Sequence, residues 1–432
     1  MTQLASYLVP GFAVSDHVVR VPLDWSDESW GTIDCFYREV TAVDRRGEDL
    51  PLLVYLAGGP GGAAPRPGPD VAWLAEATRR YRVILPDQRG TGRSNPVDGE
   101  DMARFDEPPA AAWYLRHFLA DSIVRDLEHV RRHHFGGRPW TVLGQSYGGF
   151  ITLTYLSRYP DALGAALIAG GLPGLPPSAG DVYRLEYPAA ERKSRAYYRR
   201  YPQDEEIVGQ IAERLAEGDV VLPNGDPLTV RRFQMLGRHF GSLRAPERLH
   251  WLFDRAFARP GRLSDAFLYS VMDFTAGADR PLYWPLLEFI YASGANGPVE
   301  WAAAHEFERH PEFAEAARPL LFFGEMAFPW MFADIYELRP FRAAVERLMH
   351  EVKWPNLYDA KRLAANTVPV EAVIYHDDLF VDAGCQLETL QGVDNAQAWV
   401  TNEFDHDGLG SDPKVFAHLL RALRERGGEA AA

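Results

Sequence analysis

Ser146 lies in the run Gly144-Gln-Ser-Tyr-Gly-Gly149, directly after the apolar stretch Trp140-Thr-Val-Leu143. A strand that feeds a glycine-flanked serine and then a helix is the signature of a nucleophile elbow, which holds the serine hydroxyl exposed at a sharp turn. Gly144 and Gly148 suit that turn, because residues without a β-carbon let strand and helix come close. A serine hydroxyl attacks well only when a base takes its proton and an acid orients the base. In an elbow of this kind the chain order is serine, acid, histidine. An apolar stretch ending at Tyr375 runs into His376-Asp377-Asp378-Leu379, and a later one runs into Phe404-Asp405-His406-Asp407-Gly408. The order nominates Asp378 as the acid and His406 as the base. Asp377 competes for the first role; His376 precedes the acid and breaks the order.

Attack on a carbonyl builds a negative oxygen that needs fixed donors. Leu56-Ala-Gly-Gly-Pro-Gly-Gly62 follows the third core strand, a position from which such a fold draws one donor, and the residue after the nucleophile supplies the other. The expected oxyanion hole is therefore the backbone N–H groups of Gly59 and Tyr147. A phosphate-cradling role for the glycines would need a following Gly-Lys-Ser/Thr, which is absent.

These residues need a scaffold. His17–Leu23, Thr32–Tyr37, Leu52–Leu56, Tyr81–Leu85, Trp140–Leu143 and Ala165–Ala169 read as strands. Between Ala120 and His134, Ile123, Leu127 and Val130 recur at helical spacing. A second helix follows the elbow to Arg158. Alternating strands and helices predict an α/β fold with a mostly parallel sheet covered on both faces. Gly170-Gly-Leu-Pro-Gly-Leu-Pro-Pro177 is a breaker-rich hinge, after which residues 178 to 360 show helical patterns and many aromatics without a clear strand. Strands return at Val370–Tyr375 and near Ala398–Val400, with a closing helix from about Pro413 to Arg426. The expected division is a first core part over 1–172, a helical cap over 173–360 and a second core part over 361–432. The terminal Glu-Ala-Ala-Ala is expected to fray.

The chain has 432 residues, 45 Lys and Arg against 60 Asp and Glu, and a net charge of −15. Such an acidic balance argues against nucleic acid and anionic membrane surfaces as partners, which need clustered cations. The two cysteines, Cys35 and Cys385, have no Cys or His at metal-ligand spacing and read as reduced thiols. Adjacent His133 and His134 face different directions on a helix, and no third ligand is near. No metal or organic cofactor is expected. With no signal-peptide pattern or transmembrane-length apolar run, the expected location is cytoplasmic.

Three segments together resemble the signature of the proline iminopeptidases (prolyl aminopeptidases), serine exopeptidases of the α/β-hydrolase fold: Gly58-Gly-Pro-Gly-Gly62, Asp87-Gln-Arg-Gly-Thr-Gly-Arg-Ser94 and Gly144-Gln-Ser-Tyr-Gly-Gly149. The eight-residue Asp87 segment is the most specific, and the spacing of Asp378 and His406 is similar too. Ala57 departs from the pattern, which often has His or Gln there. The resemblance implies release of an N-terminal proline, and of other small residues, from peptides with a free N-terminus. It also implies an anionic subsite for the substrate ammonium. On this basis Glu288 and Glu325, in Leu286-Leu-Glu-Phe-Ile-Tyr291 and Phe323-Gly-Glu-Met-Ala-Phe-Pro-Trp330, are the expected substrate ligands. Phe289, Tyr291, Phe328 and Trp330 are candidates for a ring slot, and Tyr147 is expected to line the pocket. Arg89 and Arg93 are expected to pair with carboxylates and fix the loop beneath the elbow.

Two other readings compete. A related hydrolase of esters, amides or longer N-terminal peptides would share the triad without the ammonium site. A catalytically silent binding protein of the same fold would be expected to lack a triad member. A serine at the elbow, rather than an aspartate, argues against an epoxide hydrolase.

Overall fold

The computed structural model describes residues 2–294, 296 and 298–427; the terminal Glu-Ala-Ala-Ala lies outside them. Seven strands precede the hinge: β1 (Thr2–Val9), β2 (Phe12–Pro22), β3 (Thr32–Ala42), β4 (Leu52–Leu56), β5 (Arg82–Pro86), β6 (Trp140–Gln145) and β7 (Leu163–Ala169). The long segment after β7 is mainly helical and, among the described residues, has one short hairpin, β8 (Phe257–Arg259) and β9 (Arg262–Leu263), too brief to show a period-two pattern. β10 (Val370–Tyr375) and β11 (Ala396–Thr401) then complete a nine-stranded sheet in the order β1-β2-β3-β5-β4-β6-β7-β10-β11.

From β5 to β11 every neighbouring pair is parallel, while β1, β2 and β3 join antiparallel at one edge. All residues of β4 and β10 are buried, as expected of parallel strands covered on both faces. One cover is the helix Ala120–His134, which buries Ile123, Leu127 and Val130. The helix Tyr147–Arg158 lies almost wholly inside. β1 is absent from the sequence reading for a physical reason: its side chains bury almost nothing, so no alternation of apolar residues marks it.

Strand ends bring the chemistry to one edge. β6 runs into Ser146, β10 into Asp378 and β11 toward His406. The Ser146 N–H donates to the Ala169 carbonyl at 2.9 Å, and the His376 N–H to the Thr401 carbonyl at 2.8 Å. Open α/β sheets place ligands at this carboxyl-end edge. Among the described residues, no helix is long and apolar enough to cross a membrane.

Candidate active site

Ser146 has φ 54° and ψ −124°, a left-handed conformation for a residue with a β-carbon. Such backbone costs roughly 1–3 kcal/mol and persists where the surroundings enforce it. The flanking glycines are what make the turn fit. A β-carbon on Gly148 would stand 2.0 Å from the Leu56 carbonyl oxygen, and one on Gly144 would stand 2.4 Å from that of Gly148. β4, β6 and the helix are thus closer than side chains allow. Tyr147 is the first helical residue, so its N–H has no intrahelical acceptor and remains available at the turn.

Asp378 is buried, and each of its oxygens is committed. Oδ1 accepts from the N–H groups of Phe380 at 2.9 Å and Val381 at 3.2 Å. Oδ2 faces His406 Nδ1 at 2.8 Å. The neighbouring Asp377 instead contacts exposed His376, and its own side chain is 63% exposed, so it cannot orient the buried imidazole. Burial works to lower the His406 pKa, but the charge and hydrogen bond of Asp378, with help from Glu325 and Asp407, raise it above the ordinary 6.5. Phe380 packs edge-on against the imidazole. The helical segment after β7 grips both neighbours of His406: Lys193 Nζ donates to Asp405, and Ser242 Oγ donates to Asp407 Oδ2 at 2.6 Å.

The Asp87 segment does not reach the cleft; it anchors the glycine loop. Buried Asp87 accepts from the Ala64 N–H at 3.2 Å, Arg66 Nη1 at 2.8 Å and the Arg93 N–H at 2.9 Å. Gln88 Nε2 donates to the Ala57 carbonyl at 2.9 Å. Arg89 forks onto Asp126 at 2.7 and 2.6 Å, and Arg93 pairs with Asp16 at 2.6 Å. The two arginines are structural, as their sequence context suggested. With its frame fixed, Gly58 lies against the elbow, where a β-carbon would come within 3.0 Å of Ser146 Cβ.

A cleft of about 480 Å³ brings together Ser146, His406, Gly59, Glu325, Tyr283 and Arg238. Glu325 is half-buried and accepts from the Tyr283 hydroxyl. Burial pushes its carboxyl up to about 7, against the pull of His406 and Arg238. Its backbone N–H donates to Glu186 Oε1, and Gly324 permits this approach, since a β-carbon there would stand 2.2 Å from that oxygen. Burial, and next the charge of Glu325, hold the Glu186 carboxyl well above the ordinary range. Glu186 borders an adjoining cavity of about 530 Å³ that also reaches Asp378 and Phe380. Among the described residues, no group of three or more His, Cys, Asp and Glu side chains is placed to hold a metal ion.

Several expectations need correction. Glu288 does not line the cleft. It is 1% exposed, and its two oxygens accept from the N–H groups of Ala302 at 2.9 Å and Ala303 at 3.1 Å, at the start of the helix Ala302–Phe307. Burial raises its carboxyl to about 8, against the pull of those two N–H groups. The Tyr147 side chain turns into the core and meets Phe150 at 6.0 Å between ring centroids. Phe289 stacks on Trp354, and Phe328 on Trp330; neither pair lines the cleft. Tyr291 packs on Phe150 and borders the adjoining cavity. The cleft aromatics are Tyr55, Tyr283 and Phe380. Sequence reasoning missed Glu186, although it shares a helical face with buried Tyr183 and Ala190, and a carboxylate on such a face is a detectable signal. Arg238 and Tyr283 carry no comparable mark.

The nine-stranded sheet, the elbow and the Asp378–His406 pair define an α/β hydrolase of the serine type. The α/β hydrolase fold model matches residues 51–207. The proline iminopeptidase of Aeromonas sobria is 40% identical over 428 residues, spanning 98% of this chain and 100% of the relative. Proline iminopeptidase aneH of Aspergillus aculeatus is 32% identical over 423 residues, spanning 94% of this chain and 92% of the relative. The proline iminopeptidase of Xanthomonas citri is 30% identical over 181 residues, spanning 38% of this chain and 51% of the relative. The chain belongs to the proline iminopeptidase family.

Proposed function

We propose that the chain is a prolyl aminopeptidase, a serine exopeptidase that releases proline from the free N-terminus of peptides through an acyl-enzyme. Ser146 Oγ attacks the carbonyl of the N-terminal residue while His406 takes its proton. Asp378 holds the imidazole with Nδ1 protonated, so that Nε2 serves as the base. The N–H groups of Gly59 and Tyr147 receive the oxyanion. His406 returns the proton to the leaving amine, and water, activated by the same imidazole, then frees the proline. Glu325 takes the substrate ammonium, and Glu186 behind it adds negative potential when ionised. A carboxylate that water solvates poorly gains most from a cationic partner.

The observation that carries this reading is the placement of Glu325 in the cleft shared by Ser146 and His406. An ordinary esterase has no use for a half-buried carboxylate there, whereas an enzyme for free N-termini needs one. The test compares a proline arylamide with a free amine, its N-acetylated form and a simple aryl ester. The free amine should be preferred by about 100-fold or more over the acetylated form, the scale of a lost charge-assisted contact. Equal turnover of both would exclude the ammonium subsite.

A further inference from the structure

Arg238 is the unusual cation of the cleft. It lies half-buried on the cap wall, with its guanidinium carbon 4.9 Å from the Tyr283 ring centroid and 5.7 Å from that of Trp284. Among the described residues it has no hydrogen bond or ion pair. Glu325 and Asp279 act on it only through their fields, while burial lowers its pKa. Placing an arginine against aromatics without a bonded anion is costly unless an anion arrives with the ligand. Other arginines in this protein show the contrast: buried Arg89 and Arg232 each have a bonded aspartate. Arg280, which also lines the cleft, is exposed, and its Nε stands 3.5 Å from exposed Asp279. Beside Arg238, the imidazole of His239 has a buried Nε2 with no partner among the described residues.

We propose that Arg238, with Arg280 at the mouth, receives the C-terminal carboxylate of very short peptides, so that the preferred substrates are dipeptides and tripeptides with both ends free. This inference rests on the aminopeptidase reading and adds the far end of the substrate. Glu325 and Arg238 line one cleft with Ser146, so a single short chain carrying an ammonium at one end and a carboxylate at the other matches the pair. A planar guanidinium suits a carboxylate in two-point contact, and the aromatic rings behind it fix its plane. A long polypeptide has no carboxylate at this position and forfeits the contact.

The test measures kcat/KM for Pro-Gly as the free acid and as the C-terminal amide, with proline arylamide as the reference. The wild-type protein should prefer the free acid about tenfold or more, the range for a charge-assisted contact. In Arg238→Gln the ratio should fall to within about twofold of one, and Arg238→Lys should retain part of it. No preference in the wild-type protein overturns the inference, whatever the fold of the variants. An unchanged ratio in Arg238→Gln, with all substrates losing rate alike, also overturns it and leaves Arg238 as a partner of Glu325. Absence of any proline arylamide turnover would remove the aminopeptidase reading and the inference with it; turnover without discrimination removes the inference alone.

Discussion

The backbone N–H of Glu325 donates to the carboxylate of Glu186, which joins two acids from separate parts of the cap at the wall facing Ser146 and Asp378. Glu325→Gln should reduce kcat/KM for proline arylamide by about tenfold to 100-fold, mainly through KM, because a carboxylate–ammonium contact is made in ground state and transition state alike. An aryl ester without an amine should lose much less. Steady-state kinetics on the two substrates check this.

The same carboxylate shapes the pH profile. Glu325 has its pKa pushed up to about 7, and His406 titrates above the ordinary 6.5, partly because of Glu325. Productive binding of a cationic substrate needs Glu325 ionised, and attack needs His406 neutral, so kcat/KM should rise as pH passes through neutrality. With the aryl ester only His406 matters. Glu325→Gln removes one of the charges that raise its pKa, so the midpoint of the acid limb should move down. A pH series of kcat/KM with the ester gives the answer.

Asp378 and Asp377 should differ sharply. Asp378→Asn removes the acceptor for His406 Nδ1 and should lower kcat by roughly 10²–10⁴-fold. Asp377→Asn alters an exposed side chain paired only with exposed His376 and should stay within about twofold of wild type.

Glu288 makes a stability prediction. Its pKa rises from 4.5 in the unfolded chain to about 8 in the fold, so the folded state binds the extra proton. The stability this contributes is fully present below 4.5 and is lost as pH climbs through about 8. Thermal melts from about pH 5 to pH 9 should show a falling Tm, and Glu288→Gln should flatten that fall while leaving KM for proline arylamide within about twofold.

The elbow turn and the Asp378–His406 contact of the candidate site were legible because they obey local rules. The elbow needs glycines at fixed offsets, and the acid and base follow strands that apolar runs reveal. The proposed ammonium wall was only partly legible. Glu325 and Glu288 both stand beside aromatics in the sequence, yet only Glu325 reaches the cleft; Glu288 accepts two backbone N–H groups at a helix start. That difference depends on how cap helices cross, which no single helix records. Arg238 was missed for the same reason, whereas Glu186 had a signal on its own helix, the face it shares with buried Tyr183 and Ala190. The role of the Asp87 segment became clear only in three dimensions: it holds the loop from Ala57 to Arg66 and makes no contact with the cleft.

The covalent step tests the account most directly. A prolyl ester should be mixed with the protein, quenched in acid during turnover and mapped by peptide mass spectrometry. The account predicts a prolyl adduct on Ser146, absent from Ser146→Ala, whose turnover should fall by at least about 10⁴-fold. A prolyl adduct on another residue, or full turnover by Ser146→Ala, would contradict it.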